Sequence, residues 1–257
     1  MMVQNFGSLK SKVSICTPTK NRQPFIPILA ECIKNQSYPK SLIEWVIVDD
    51  SDEPAKEMID SLGLDIEIKY HYSKSPLTIG KKRNLSNEIA TGDIMINMDD
   101  DDFYPIERIS HAVDTLNRSE CLIAGCSLIP LLYIDEVSLW LVGPFGQNHA
   151  TANTFAYKKE LLDLTSYRNE DAYAEEKHFL KNYQFKMEQL EAFKTLICIA
   201  HNQNTVNKYE LRSRQSLSNQ PNSTYKKLQK LTQGQREIIE EISTVYSEAV
   251  SGGMPGS

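Results

Sequence analysis

The stretch GDIMINMDDDDFYP, residues 92–105, constrains this chain more than any other. Its apolar run is continuous rather than alternating and is bounded by Gly92 and by acids, so Asp93 to Met98 reads as a central strand buried on both faces. A strand of that kind needs neighbours beside it and helices over its faces. The upstream sequence supplies both: Val13 to Thr17, Glu44 to Asp50 and Ile66 to Tyr72 are short β-branched strand candidates. Between them lie helical segments from about Pro24 to Gln36 and from Ala55 to Leu62, and a third opened by Gly80, with Leu85 and Ile89 on one face. A fourth, 105–118, starts with Pro105 near its first turn and repeats Ile106, Ile109, Val113 and Leu116 at the helical period. The fold class is therefore α/β, a mixed, mostly parallel central sheet flanked by helices.

Beyond Glu120 the pattern changes. CLIAGCSLIPLLYI and SLWLVG read as neighbouring strands, ANTFAYKKELLDL as a strand running into a helix, and Ala172 to Tyr183 as a further helix. The apolar segment Thr195 to Ala200 precedes HNQNT, which places His201 at another strand end. These features predict one domain over 1–212, with halves of about 13–118 and 119–212. Residues 213–257 then form a polar linker and a C-terminal helical extension, Tyr225 to about Ala249, which packs back on the domain, meets a partner or links to a further domain of a longer chain; the final SGGMPGS reads as a disordered end or a truncation scar.

Charge narrows the function classes. Twenty-eight basic against thirty-four acidic side chains give −6, which argues against general nucleic-acid binding. No apolar stretch reaches the ~20 residues of a transmembrane segment, and the start lacks a signal peptide's apolar run, so a cytoplasmic location is expected. Cys16, Cys32, Cys121, Cys126 and Cys198 show no CxxC spacing and read as reduced core residues.

Asp99, Asp100, Asp101 and Asp102 follow the buried strand directly, and open α/β sheets bind ligands outside the carboxyl ends of their strands. An acidic run elsewhere reads as a solvated loop. Here, fixed between a strand and a proline-started helix, four anions call for a cation such as Mn²⁺ or Mg²⁺, which bridges carboxylates to phosphates.

The run from Gly80 to Tyr104 resembles the family 2 glycosyltransferases of the GT-A fold, whose pattern is G-x-x-R-N, a helix, then G-D-x-I-x-x-L-D-x-D-D. Gly80, Arg83, Asn84, Gly92, Asp93, Asp99, Asp101 and Asp102 fill that pattern, the last acids forming its DxD motif, with Met98 in the usual leucine's place. VSICTPTKNR resembles the family's first strand and nucleotide loop, with Pro18, Thr19 and Arg22 at matching places; in VIVDDSD, Asp49 and Asp50 match acids that contact base or ribose. The YAEEK and HNQNT elements look most like glycosyltransferase domains encoded by large DNA viruses.

The resemblance implies a nucleoside-diphosphate sugar as donor, with UDP the default. Backbone groups around Thr17 to Thr19, with Asp49 and Asp50, would meet base and ribose, unless the two acids only cap the turn. Lys81, Lys82 and Arg83 lie in a helix's first turn, where exposed N–H groups favour phosphate, though the lysines also suit a solvated face. By resemblance Asp101 is the central metal ligand, Asp102 a second and His201 a third; Asp99 contacts ribose or metal-bound water, and Asp100 holds the pattern's variable position in the nucleotide-sugar site.

Inverting transfer needs a base. AYAEEKHFL resembles the family's x-E-D-x-x-L element and puts Glu175 and Glu176 at the acid pair, Glu176 at the base position; Glu170 and Asp171 are the rival pair. His149, Asn153 and Trp140 are acceptor-side candidates, the acceptor being a hydroxyl on a glycan, lipid or protein. The expectation is a metal-dependent, inverting hexosyltransferase. A nucleotidyltransferase acting on a sugar phosphate and a non-catalytic sugar-nucleotide-binding domain are the rivals.

Overall fold

Residues 11–217 and 225–252 are described by a computed structural model. The first ten residues, 218–224 of the expected linker and the last five residues lie outside that range.

The expected alternation forms β1 (Val13–Thr19), α1 (Ile26–Lys34), β2 (Ile43–Asp49), α2 (Lys56–Ser61), β3 (Glu67–Tyr72), α3 (Ile79–Ile89), β4 (Ile94–Asn97) and α4 (Arg108–Asn117). β1, β2 and β4 are buried along their whole length, which is why their sequences carry apolar residues at nearly every position. The sheet order is β3-β2-β1-β4, all parallel, with Val13 opposite both Ile43 and Ile94. Since β2 and β3 follow β1 on one side and β4 lies on the other, the strand order reverses between β1 and β4. That crevice is where an open sheet binds its ligand. β1 runs on to Thr19 while β4 stops at Asn97, so the four aspartates leave the sheet beside the end of β1.

The later elements are β5 (Ile123–Gly125), β6 (Ile129–Tyr133), β7 (Ser138–Val142), β8 (Ala156–Lys158), α5 (Glu176–Phe179), β9 (Glu188–Gln189), α6 (Ala192–Thr195), β10 (Cys198–Ala200), α7 (Lys208–Leu217), β11 (Tyr225–Lys227) and α8 (Gln233–Gly252). β8 joins β4 antiparallel and β5 and β9 complete the large sheet, which is therefore mixed. β10, β6, β7 and β11 form a second sheet of four strands.

Several expectations are corrected. The run CLIAGCSLIPLLYI is two strands in two sheets, because Cys126 N and Ser127 N leave the ladder to bond Thr154 Oγ1 and Gln189 Oε1. The helix at 105–118 starts only at Arg108, whose N–H bonds Pro105 O. The helix expected in KKELLDL is only a 3₁₀ turn, Lys159–Asp163. The helix expected over 172–183 shrinks to the four residues of α5, since Ala174, Lys181, Asn182 and Tyr183 take positive φ. Tyr225 begins a strand, not a helix.

The boundary expected near Arg212 does not coincide with a break in the fold. α7 runs through that residue, β11 pairs with β7, and α8 buries Ile239, Ile242 and Tyr246 against Phe25, Leu132 and Leu139. All five cysteines are free and four are buried. No helix among the described residues is long and apolar enough to cross a membrane.

Candidate active site

The crevice between the ends of β1 and β4 is a cavity of about 380 Å³, floored by Pro18 and Thr19 and walled by Arg22, Lys82 and Asp99 to Asp101, with Gln203 and Thr205 opposite. Its walls are held by charge. The Arg22 guanidinium contacts Asp101, lies 3.6 Å from Asp100, and donates to Gln203 O at 2.7 Å. Arg83 is buried in α3 and donates through both terminal nitrogens to Asp99 at 3.1 and 3.2 Å, and through Nε to Glu175 at 2.7 Å. This guanidinium ties the aspartate loop to the segment carrying the expected base.

The four aspartates have four surroundings. Asp99 meets Arg83. Asp100 is buried, its Oδ2 has no hydrogen-bond partner, and burial against Arg22's opposing charge pushes its pKa up to about 7. For Asp101 burial also works against the charge, but Arg22 and His201 hold it well below the usual carboxylate range. His201 Nε2 is 3.1 Å from Asp101, and Asn204 Nδ2 donates to the same oxygen at 3.0 Å. Gln203 N donates to His201 Nδ1 at 3.2 Å, Asn204 Nδ2 lies 2.8 Å from Nε2, and burial lowers the imidazole's pKa, which favours a neutral ring. Asp102 turns inward: it accepts from Ile199 N at 3.1 Å and from Asn153 Nδ2 at 2.5 Å, tying the turn to β10.

Asp102, expected as a second metal ligand, and Asn153, expected on the acceptor side, are hydrogen-bonded to each other here. Asp49 and Asp50 are likewise engaged. Asp49 accepts from Ser51 N, Ala55 N and the Tyr70 hydroxyl, the capping role that competed with nucleotide contact. Asp50 pairs with Lys82 at 2.5 Å and accepts from Leu77 N at 2.7 Å. Thr17 spends its hydroxyl on Met98 O and Trp45 Nε1.

At the start of α3 the backbone amides already have partners. Gly80 N donates to Asp171 O, and Thr78, the N-cap, takes Lys81 N, so those amides are spent. A Cβ on Gly80 would lie 1.9 Å from Arg168 O; the glycine allows loop 168–171 to press on α3. Asn84 holds the same loop through Tyr167 N, Tyr167 O and Asn169. Lys81 does not line the cavity, whereas Lys82, its neighbour, does and also donates to Thr19 O at 2.9 Å. The signal that separates them is burial, since Lys82 lies on the face of α3 that packs on the sheet.

Glu175 is committed to Arg83. Glu176 carries no ion pair among the described residues, and burial, with the charge of Glu175, raises its pKa. On the expected acceptor side, His149 stacks between Phe145 and Tyr183 at 5.0 and 4.2 Å. Trp140 belongs to β7, in the second sheet, where it packs on Tyr133 and Arg212 and has no place in this cavity.

Asp100 with its unpartnered oxygen, Asp101 and His201 offer hard oxygen and imidazole donors that fit Mn²⁺ or Mg²⁺. Among the described residues no three acid, histidine or cysteine side chains are gathered ready to hold an ion. Arg22 supplies the positive charge there instead.

Comparison with known proteins agrees with this geometry. The family model "Glycosyl transferase family 2" matches residues 14–130. A glucosyl-dolichyl phosphate glucuronosyltransferase of Haloferax volcanii is 26% identical over 143 residues, 52% of this chain and 45% of the relative, so the match spans less than half of that protein. Among solved structures, the mannosyltransferase PcManGT of Pyrobaculum calidifontis, in complex with GDP-Man and Mn²⁺, superposes with a TM-score of 0.62 at 14% identity, over 96% of this chain and 74% of that one. TarS 1–349 of S. aureus in complex with UDP-GlcNAc gives 0.58 at 18% identity, over 93% and 73%. Likeness at that identity speaks for the fold, and the family match speaks for the nucleotide half. Residues 14–130 thus match the family 2 glycosyltransferases, and the chain shares the GT-A fold of these solved structures.

Proposed function

We propose that this chain is an inverting, metal-dependent glycosyltransferase that moves a hexose from a nucleoside-diphosphate sugar to a hydroxyl acceptor. The observation that carries the reading is the crevice itself: carboxylates Asp99 to Asp101 and cations Arg22, Lys82 and Arg83 converge where the strand order reverses. The TarS complex with UDP-GlcNAc supports UDP as the nucleotide, and the PcManGT complex supports manganese.

Asp101 and His201 would hold the ion, with Asp100 Oδ2 as a further donor; when bound it screens the diphosphate and steadies the departing nucleotide. Lys82 lines the same cavity and would supply fixed positive charge as the bond to the sugar breaks, while Arg83, buried behind the wall, holds Asp99 in place. The acceptor oxygen attacks the anomeric carbon, the bond from that carbon to the β-phosphate oxygen breaks, and its electron pair leaves with the nucleoside diphosphate. Glu176 takes the acceptor's proton. A carboxylate with a raised pKa suits that role better than one pinned to a guanidinium, which favours Glu176 over Glu175.

Incubation with a panel of nucleotide sugars, with and without Mn²⁺, tests the reading. The expected result is metal-dependent release of UDP from a UDP-sugar, together with a raised melting temperature. Release of pyrophosphate from a nucleoside triphosphate with a sugar phosphate would identify a nucleotidyltransferase. Stabilisation without any product would identify a binding domain.

A further inference from the structure

A second cavity, about 660 Å³, is lined by loop 164–171 and by α5 with the turns that flank it, the chain segment that carries Glu175 and Glu176 in sequence. Its charge is opposite to that of the whole molecule. Arg168, Lys177 and Lys181 line it, beside the His178 ring, against one carboxylate, Asp171, in a chain of net charge −6. These cations are weakly engaged. Arg168 Nε is 3.7 Å from Asp171 and 3.9 Å from Glu170, both too long for hydrogen bonds, and Lys177 has no ion pair among the described residues. Lys181 rests over the Phe185 ring at 5.5 Å.

The backbone around this cavity is strained. Of the six non-glycine residues with positive φ among the described residues, Ala174, Lys181, Asn182 and Tyr183 bracket α5, at 54°, 47°, 57° and 64°. Such conformations persist where the surroundings impose them and gather at ligand sites. Here they break the helix early and turn Lys177 and Lys181 towards one hollow.

Building on the transferase reading, we propose that this pocket binds the phosphate group of a water-soluble acceptor, a phosphorylated sugar or polyol whose free hydroxyl is the one glycosylated. An arginine fork with lysine point charges suits a phosphate's oxygens. Leu164 and Ala174 are the only apolar residues in the lining, so it offers no bed for a lipid chain. Glu176 immediately precedes Lys177, which keeps the anchored phosphate beside the segment that bears the base.

The test is amide NMR of the ¹⁵N-labelled full chain titrated with sn-glycerol 3-phosphate, with glycerol, and with phosphatidylglycerol vesicles, at matched ionic strength. The expected result is saturable shifts of Arg168, Lys177, His178 and Lys181 with glycerol 3-phosphate only. In K177Q/K181Q, both positions being exposed, the affinity should fall about tenfold or more while the remaining spectrum is preserved. Equal shifts with glycerol, no shifts here, or unchanged affinity in the double variant would overturn the proposal. Shifts with vesicles alone would overturn it in favour of a membrane surface. Metal-dependent UDP release by the wild-type chain is scored separately, so failure of the phosphate pocket and failure of the transferase reading are told apart.

Discussion

Glu175 and Glu176 are neighbours in sequence, yet the first is paired with the Arg83 guanidinium and the second has no ion pair among the described residues. Replacing Glu176 by Gln should leave donor affinity unchanged in calorimetry while turnover falls by about 10²–10⁴-fold, the usual worth of a positioned base. Near-normal turnover would move the role to Glu170, Asp171 or Glu175. Asp49 calls for the opposite outcome. Its carboxylate accepts three donors beneath the loop after β2, so Asp49→Ala should cost about 1–3 kcal/mol of stability in urea unfolding through the orphaned amides. The four aspartates after β4 show what sequence hides at this scale. Their sequence says that they cluster at a strand end, which is correct; it does not say that the turn aims Asp101 at Arg22 and His201 and Asp102 at Ile199 N, because those partners lie 79 to 100 residues away.

Between elements, loop 168–171, a few residues before Glu175 and Glu176, is packed on the start of α3 beside the crevice. Gly80→Ala would force a Cβ into Arg168 O and lift that loop, and Asp171 with it. The expected result is a fall in turnover larger than the loss of melting temperature; unchanged kinetics would show that the contact does not position Glu176. β1, β2 and β4 were legible in the sequence because they are buried along their whole length, and β3 because its six-residue β-branched and aromatic run is long enough to read. β5, β8, β9 and β10 are two or three residues long, and tertiary pairing rather than pattern defines them. The helix expected over 172–183 failed for a related reason: its residues are good helix formers, but positive φ at Ala174 and at Lys181 closes it at both ends.

Across the whole molecule, the sheet's two ends are stabilised differently. At the end away from the crevice, Glu44 is buried; burial alone would raise its pKa, but Lys12, Ser14 and Thr91 hold it far below the carboxylate range. A depressed folded-state pKa means stability that is complete above the unfolded value of about 4.3 and is lost as pH falls below it. Glu44→Gln should flatten that acid limb in a plot of melting temperature against pH; an unchanged limb would assign it to other carboxylates. α8 belongs to the same body. Ile239, Ile242 and Tyr246 cover Phe25, which stacks on His201 at 4.9 Å, so deleting residues 233–257 should lower the melting temperature and loosen His201 together. A truncated chain with the full melting temperature would make α8 an appendage.

The central claim is that Asp101 leads the cation site of the crevice. Its most direct test is the melting temperature of wild-type and Asp101→Ala chains with UDP, in the presence and absence of Mn²⁺. The wild type should show a metal-dependent rise that the variant lacks, and a variant that keeps the full rise would contradict the account.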